Sequence, residues 1–279
     1  MLDGESNEGG TVNILVCIKQ VPDTAEIKID PVKNTLIRKG VPSIVNPFDK
    51  YALEAAARIK DTDPATNIAV LTMGPPQAQM ALRECLDIAA DEAYLATDRV
   101  FGGSDTFATS YILATVIQKI EEERGEKFDM IFCGRMAVDG DTAQVGPEIA
   151  EHLGLAQATC ALSCEVDGNR LKVWQQQETG VAVLGVQLPC VVTFSKASFS
   201  VRPPTIRRKL AAKHADIHKI VADDLPELDR AYAGLKGSPT KVRRSRTAEV
   251  KTNATMIEEG SAEADAQKLI DMLASAGAF

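Results

Sequence analysis

A chain of 279 residues is long enough for one large buried core, or for one core with a smaller appendage. Its apolar share of 45% and charged share of 25% are those of an ordinary globular protein, and a net charge of −8 speaks against nucleic acid or an anionic membrane as main partner. No run approaches the roughly 20 apolar residues that cross a bilayer, and the acidic, Gly-rich start MLDGESNEGG reads as a frayed tail over 1–11 rather than a signal peptide.

In chain order, Asn13 to Ile18 is a continuous apolar run and the first strand, ending at Lys19-Gln20-Val21-Pro22-Asp23. Ile27 to Asp30 and Thr35 to Arg38 alternate around Pro31 to Asn34 and predict a hairpin. Asn46-Pro47-Phe48-Asp49 is a helix start, with Asn46 as N-cap, Pro47 at the first helical position and Asp49 near the positive dipole end. That helix reaches about Lys60. Asn67 to Met73 is a strand stopped by Gly74-Pro75-Pro76, and Ala78 to Ala89 follows with helical spacing. Glu92 to Ala96 is a strand, and the loop Gly102 to Thr106 caps a helix to about Glu123.

The run Phe128 to Cys133 is the next strand, followed by Gly134, the loop Asp139-Gly140-Asp141-Thr142 and a helical run through Val145, Ile149 and Leu153. Asp141 or Thr142 can serve as its N-cap. Strand, tight loop and helix start make an anion site, because unpaired N–H groups and the positive dipole end face a ligand there. Two carboxylates in the loop argue against a bare phosphate clamp and suit ribose hydroxyls or exocyclic amines as donors. A Mg site on Asp139 and Asp141 is the other option, with turn formation and capping as their plain structural role.

After residue 160, Arg170 to Gln175, Val181 to Val186 and Cys190 to Phe194 read as strands without helices between them, extending the sheet antiparallel at an edge. From 201 to 279 the chain is a basic, Pro-rich, weakly periodic arm closed by a helix at about 262–274, which suits packing on another chain. The order of elements implies a doubly wound α/β fold with a mainly parallel sheet over 12–200, and a C-terminal extension. Of six cysteines, Cys17, Cys85, Cys133 and Cys190 sit in apolar settings as small hydrophobes. Cys160 and Cys164 lack the second pair a zinc site needs, so no metal is expected and the thiols suit a reducing cytoplasm.

Ligands of such sheets bind beyond the C-terminal strand ends. Those ends carry Lys19 to Asp23, Met73-Gly74, Ser104-Asp105-Thr106 and Gly134 to Val145. Neither G-x-G-x-x-G nor a P-loop pattern is present. His152 lies in a helix and His214 and His218 in the arm, so a Ser-His-Asp triad fits poorly.

Four stretches together resemble the electron transfer flavoprotein beta subunit: Gly134-Arg135-Met136-Ala137-Val138-Asp139-Gly140-Asp141-Thr142-Ala143-Gln144-Val145-Gly146-Pro147, Val45 to Asp49, Cys17 to Asp23, and Leu188 to Thr193. The likeness covers about 12–215. Ordinary members tend to carry D-D-x-N-Q in the central loop, whereas the D-G-D-T-A-Q-V-G-P form is similar to electron-bifurcating members. The resemblance implies a fold of the adenine nucleotide alpha hydrolase or Rossmann-like kind, in a heterodimer with an alpha subunit that holds one FAD. In ordinary members the beta subunit binds AMP; in bifurcating ones it binds a second FAD. NADH would then be the hydride donor, with one electron going to ferredoxin or flavodoxin and the other, through the alpha-subunit FAD, to an acyl-CoA or related dehydrogenase. A nucleotide-binding regulatory module without redox function is the alternative of another class.

Carried over, the resemblance assigns Lys19, Val21 and Asn46 to adenine or ribose, and Met73, Ser104 and Thr106 to the flavin lining, with Gly74 among the cofactor-binding residues. It assigns the loop Asp139, Gly140, Asp141, Thr142, Ala143, Gln144 and Val145 to the pyrophosphate, with Asp141 and Thr142 nearest, and counts Gly134 among the cofactor-binding residues. Arg135 is expected to meet the flavin or the NADH phosphates. One segment departs from the pattern: where the family often has N-E-P-R in a dehydrogenase-recognition loop, this chain has Ser195-Lys196-Ala197-Ser198-Phe199-Ser200-Val201-Arg202-Pro203-Pro204. Phe199 and Val201 there suit either a docking anchor or a packed turn.

Overall fold

The computed structural model describes residues 11–23, 42–243 and 254–278, which fall into two units: 11–23 with 42–243, and 254–278. The hairpin expected over Ile27 to Arg38 lies outside the described residues.

In the first unit, β1 (Asn13–Cys17) is followed by β2 (Gln20–Pro22) and β3 (Ser43–Val45), which pair antiparallel as a small separate ribbon. Then come α1 (Pro47–Thr62), β4 (Asn67–Met73), α2 (Gln79–Ile88), β5 (Glu92–Ala96), α3 (Thr106–Arg124), β6 (Met130–Gly134) and α4 (Val145–Leu153). These βα units follow the sequence reading closely, because their strands are continuous apolar runs bounded by Gly, Pro or capping residues. The remaining elements are β7 (Ala156–Asp167), β8 (Arg170–Gln176), β9 (Val181–Gln187), β10 (Cys190–Phe194), α5 (Ile206–Ala212), β11 (His218–Ile220) and the short α6 (Gly234–Gly237).

The main sheet has the order β11-β5-β4-β1-β6-β10-β7-β8-β9. Successive residues of β1 serve opposite faces: Ile14 and Val16 pack with α1 and α2, while Leu15 and Cys17 pack with α3 and α4. This is the doubly wound α/β arrangement expected.

Three parts of the sheet differ from expectation. β10 is not an antiparallel edge strand; it is fully buried and runs parallel between β6 and β7. Its unbroken Cys-Val-Val-Thr-Phe run is the signature of a strand covered on both faces, whereas β8 and β9 are indeed antiparallel and half exposed. The sequence pattern does not mark β7, since its residues mix small apolar and polar side chains without a steady alternation and the strand is interrupted at Cys160, where φ is 55° and the register shifts. Finally, β11 adds a parallel strand beside β5, and α5 packs on α2, so the first unit runs through Arg243 rather than stopping at 200.

Arginines fasten this returning segment. Arg202 grips Glu54 (Nε to Oε2, 2.9 Å) and Asp61 (2.7 Å), Arg208 donates to the carbonyl of Ala90 at 3.0 Å, and Arg83 donates to the carbonyls of Ala212 and Ala215. The second unit contributes α7 (Ala262–Ser275), capped by the Ser261 hydroxyl, with no buried residue. No helix among the described residues is long and apolar enough to cross a membrane.

Candidate functional site

From β1 the chain passes to β4 and β5 on one side and to β6 and β10 on the other, so the topological switch lies between β1 and β6. Crevices beyond the C-terminal strand ends open at such points. The loops leaving β1 and β6 are Lys19 to Asp23 and Gly134 to Val145, and the structure joins them through α1.

The joint is Asp49, a buried carboxylate in the first turn of α1. Its Oδ2 accepts from the backbone N–H of Lys19 at 2.6 Å, and its Oδ1 accepts from the N–H of Gly134 at 3.1 Å and Asn46 Nδ2 at 2.8 Å. Asn46 Nδ2 also donates to the Met136 carbonyl at 2.9 Å, its Oδ1 accepts from Val138 N–H at 3.1 Å, and its own N–H donates to the Lys19 carbonyl at 2.9 Å. A side chain at Gly134 would put its Cβ 2.1 Å from Asp49 Oδ1, so only glycine admits this contact. Burial pushes the Asp49 carboxyl up to about 7, against the bonds from Asn46, Lys19 and Gly134 that favour its charged form.

Beyond the joint the loop turns on the Ala137 carbonyl, which accepts from the N–H groups of Gly140 at 3.1 Å and Asp141 at 2.9 Å. Asp141 and Ala143 then take left-handed φ values of 52° and 55°, a conformation costing non-glycine residues about 1 kcal/mol or more each. Ala143 left-handed before right-handed Gln144 is the alternation that turns successive N–H groups to one side as an anion-binding concavity. The N-cap of α4 is Gln144, and no side chain caps it. The expected cap by Asp141 or Thr142 is therefore corrected: the left-handed turn places both before the helix start, and its first amides stay available. Lys19 Nζ reaches into the loop and pairs with Asp139 at 2.7 Å, the lysine side chain 47% exposed and the aspartate 4%.

A second seam joins α3 to α4. Asp105 caps α3 by accepting from Ala108 N–H at 3.1 Å, and the Thr106 hydroxyl donates to Glu148 Oε1 at 3.1 Å. Glu148 Oε2 is buried and has no hydrogen-bond donor among the described residues. Asp105 also accepts from the N–H and hydroxyl of Thr240, both at 2.8 Å, while its own N–H donates to Ser238 Oγ at 2.9 Å. Burial opposes ionisation of Asp105, yet the bonds from Ala108 and Thr240 hold its carboxyl below the usual range.

Comparison with known proteins sets this site in a family. The electron transfer flavoprotein domain matches residues 33–225. The beta subunit of the electron transfer flavoprotein of Clostridium acetobutylicum is 51% identical over 91% of this chain and 95% of its own length. The chain belongs to the electron transfer flavoprotein beta subunit family. Also similar are CarD, a subunit of the caffeyl-CoA reductase-Etf complex of Acetobacterium woodii, 46% identical over 88% of this chain and 92% of its own, and protein FixA of Bradyrhizobium diazoefficiens, 46% identical over 93% and 90%.

Against the roles that electron transfer flavoprotein membership implies, the described contacts divide the expected residues in two. Lys19, Gly134, Asp139 and Asn46 are brought together, as are Thr106, Gln144 and Glu148. Gly140, Asp141, Thr142, Ala143 and Gln144 are exposed, with half-buried Val145 opening α4. Asn46 stands at the N-cap position of α1 but makes no side-chain cap, and it is 1% exposed with both side-chain atoms used on the loop, so its contacts brace the site. Val21 is buried in the core, leaving only its backbone for a ligand. Met73 and Gly74 end β4, and Ser104 Oγ donates to the Phe101 carbonyl at 2.9 Å; no described bond ties these three to the Asp139 loop. Arg135 donates its N–H to the Phe194 carbonyl at 2.8 Å, and its half-buried guanidinium forms no ion pair among the described residues.

Sequence reasoning missed Asp49 as a site residue, along with Glu148 and the Ser238–Thr240 clamp. Asp49 was legible as a helix-start acid, but its burial was not. Ser238 and Thr240 carry no local signal at all. Available helix-start amides, a left-handed loop and an orphaned acceptor on Glu148 together fit an anionic nucleotide whose far end offers an N–H or O–H donor.

Proposed function

We propose that this chain is the beta subunit of a heterodimeric electron transfer flavoprotein, and that the crevice between the β1 and β6 loops holds FAD. The geometry of Asp141 to Val145 carries this reading. The left-handed turn and uncapped α4 suit a diphosphate, and Lys19 and Asp139 suit the ribose end. The D-G-D-T-A-Q-V-G-P form of the loop supports the electron-bifurcating type, with NADH as donor and ferredoxin or flavodoxin as one acceptor. Bound here, FAD would supply the redox chemistry. This chain's own residues hold the diphosphate, orient the ribose and brace the loops.

Counting nucleotides per heterodimer after co-purification with the alpha subunit tests this. Two FAD, with ferredoxin reduction that requires NADH and an oxidised dehydrogenase, is the expected result. One FAD with one AMP would make the chain a non-bifurcating subunit, and a colourless complex binding only AMP or ATP would remove the redox role.

Arg135 is proposed to meet the flavin or the NADH phosphates, given its place at the start of the loop and a guanidinium without an ion pair among the described residues. Replacing it with Ala should lower the flavin content or raise the NADH requirement; unchanged values in both would sink the assignment.

The dehydrogenase face is proposed to lie on α5. Phe199 packs inward, with its ring 6.3 Å from Tyr51 and the Arg58 guanidinium 4.9 Å from it, so it serves as a packed turn. Ile206 and Leu210, one turn apart on α5, stand 80% and 64% exposed beside Arg207 and Lys209. Apolar groups this open on a basic helix suit a small docking anchor. The double variant Ile206→Ser, Leu210→Ser should slow electron delivery to the dehydrogenase about tenfold while leaving the flavin content unchanged. In the same way, exposed Leu269, Ile270, Met272 and Leu273 on α7 propose the alpha subunit as the partner of the second unit.

A further inference from the structure

The nucleotide reading leaves Asp49 without a ligand to touch, yet its carboxylate is where the β1, β6 and α1 sides of the site meet. Three N–H donors converge on one carboxylate from three elements: the end of β1 (Lys19), the end of β6 (Gly134) and the start of α1 (Asn46). The two backbone N–H groups cannot accept, and the Asn46 carboxamide is held with Nδ2 toward Asp49 by its bonds to the Met136 carbonyl and the Val138 N–H. A carboxylate serves them all with its two oxygens; a protonated acid must aim its own O–H somewhere and surrender acceptor capacity. The bond to Lys19 N–H at 2.6 Å is the shortest, and Lys19 is also the residue whose ammonium holds Asp139 in the phosphate loop. Gly134 fixes the start of that loop.

We propose that Asp49 is the positioning residue of the nucleotide site: its ionised carboxylate sets the spacing of the Lys19 and Gly134 loops, and proton uptake at Asp49 loosens both and weakens nucleotide binding. This rests on the crevice being a nucleotide site. The groups facing Asp49 leave it the titrating one. Lys19 lies on the β1 side, and its charge favours the ionised acid. Cys85 on α2 and Cys133 on β6 are thiols raised well above their ordinary range, Cys133 first by its hydrogen bond with Cys17 and Cys85 by burial, so both keep their protons. Lys50, next to it on α1, is paired with Glu84 of α2 at 2.6 Å. Because burial has raised the Asp49 carboxyl from 3.8 to about 7, the empty protein carries a proton there below neutrality. A ligand that needs the ionised form must expel it.

The test titrates the full chain with FAD, following flavin fluorescence between pH 6 and pH 8, for the wild type and for Asp49→Asn. FAD itself loses no proton from its diphosphate diester in this range. A single linked proton changes affinity by at most about tenfold per pH unit, so the wild type is expected to bind about tenfold more weakly at pH 6 than at pH 8. Asp49→Asn, which presents an amide where an acceptor is required, should bind weakly at both and lose the pH dependence. A purely structural loss of stability would lower affinity without flattening the profile. Calorimetry of the wild type alone, in two buffers of different ionisation enthalpy at pH 7, should show proton release on binding, and this measurement stands even where Asp49→Asn does not fold. Binding without proton release, or an unchanged pH profile in the variant, would overturn the role of Asp49 while leaving the site intact. A wild-type chain that takes up neither FAD nor AMP would overturn the nucleotide reading itself.

Discussion

Replacing Gly134 with Ala is expected to destabilise the protein by about 3 kcal/mol, from overpacking of about 1–3 kcal/mol together with a weakened bond to a charged group of similar size. The added Cβ would stand 2.1 Å from Asp49 Oδ1, 2.7 Å from Asp49 N and 2.8 Å from the Phe48 carbonyl carbon. The last two are backbone atoms of α1's first turn, and no rotamer change moves them away. Relief requires the β6 end to separate from α1, which breaks the Gly134 N–H bond to Asp49 and shifts the loop that follows. At about 2–4 °C per kcal/mol for a domain of this size, thermal unfolding should fall by roughly 10 °C. Nucleotide affinity should fall with it. The internal control is Gly140→Ala, six residues on in the same loop, where a Cβ meets nothing within 4 Å. A Gly134→Ala protein that melts with the Gly140→Ala control would show that the β6 end is free to move, and would dissolve the joint.

The second large effect is expected at Arg202. Its fork spans Glu54 (2.9 and 3.0 Å) and Asp61 (3.0 and 2.7 Å), and its backbone N–H gives Glu54 a further bond at 3.0 Å. The Glu54 side chain is almost wholly enclosed, whereas Asp61 is open to water. Arg202→Ala therefore strands one buried carboxylate on α1 with a single backbone partner. Breaking a fully buried pair from one side costs about 3–5 kcal/mol, and solvent around Arg202 reduces this to roughly 2 kcal/mol here. Arg202→Lys should recover only part, because an ammonium cannot bridge two carboxylates in one plane. Chemical denaturation checks the magnitude. The Asp61 carboxyl is held below its usual range first by the hydrogen bond from Arg202, so its share of this stability is present above the unfolded value and is lost as pH falls through the lowered one. A variant as stable as the parent, with an unchanged acid limb, would mean that the 196–215 segment is held by α5 packing alone.

Much of the molecule was written locally. The strands at 13–17, 67–73, 92–96 and 130–134 are apolar runs closed by Gly, Pro or a capping residue, and the helices between them show the spacing of a one-sided apolar stripe. Both signals depend only on neighbours a few residues apart, so the sequence alone could state them. From them followed the parallel order, and from that order the gathering of Lys19, Met73, Ser104 and the Asp139 loop at one edge. The family resemblance was equally local, because its motifs are the loops at those same strand ends.

The tertiary structure decided what depends on partners far away in the chain. Cys190 to Phe194 could be seen as a strand, but its seat between β6 and β7 is a matter of pairing with residues 60 and 34 positions distant, as in Cys190 with Met130 and Cys190 with Ala156. β7 has too little apolar contrast to announce itself, and it exists because β10 and β8 offer it bonds on both sides. The same holds at the site. Asp49 looked like one more acid at a helix start, and Asn46 like an ordinary cap. Whether such side chains face water, a ligand or each other is set by the closure of β1 and β6 around α1, which brings residues 19, 46, 49 and 134 within hydrogen-bonding distance. The sequence placed polar and charged residues in these loops; only the packed sheet decided which of them are spent on holding the loops together.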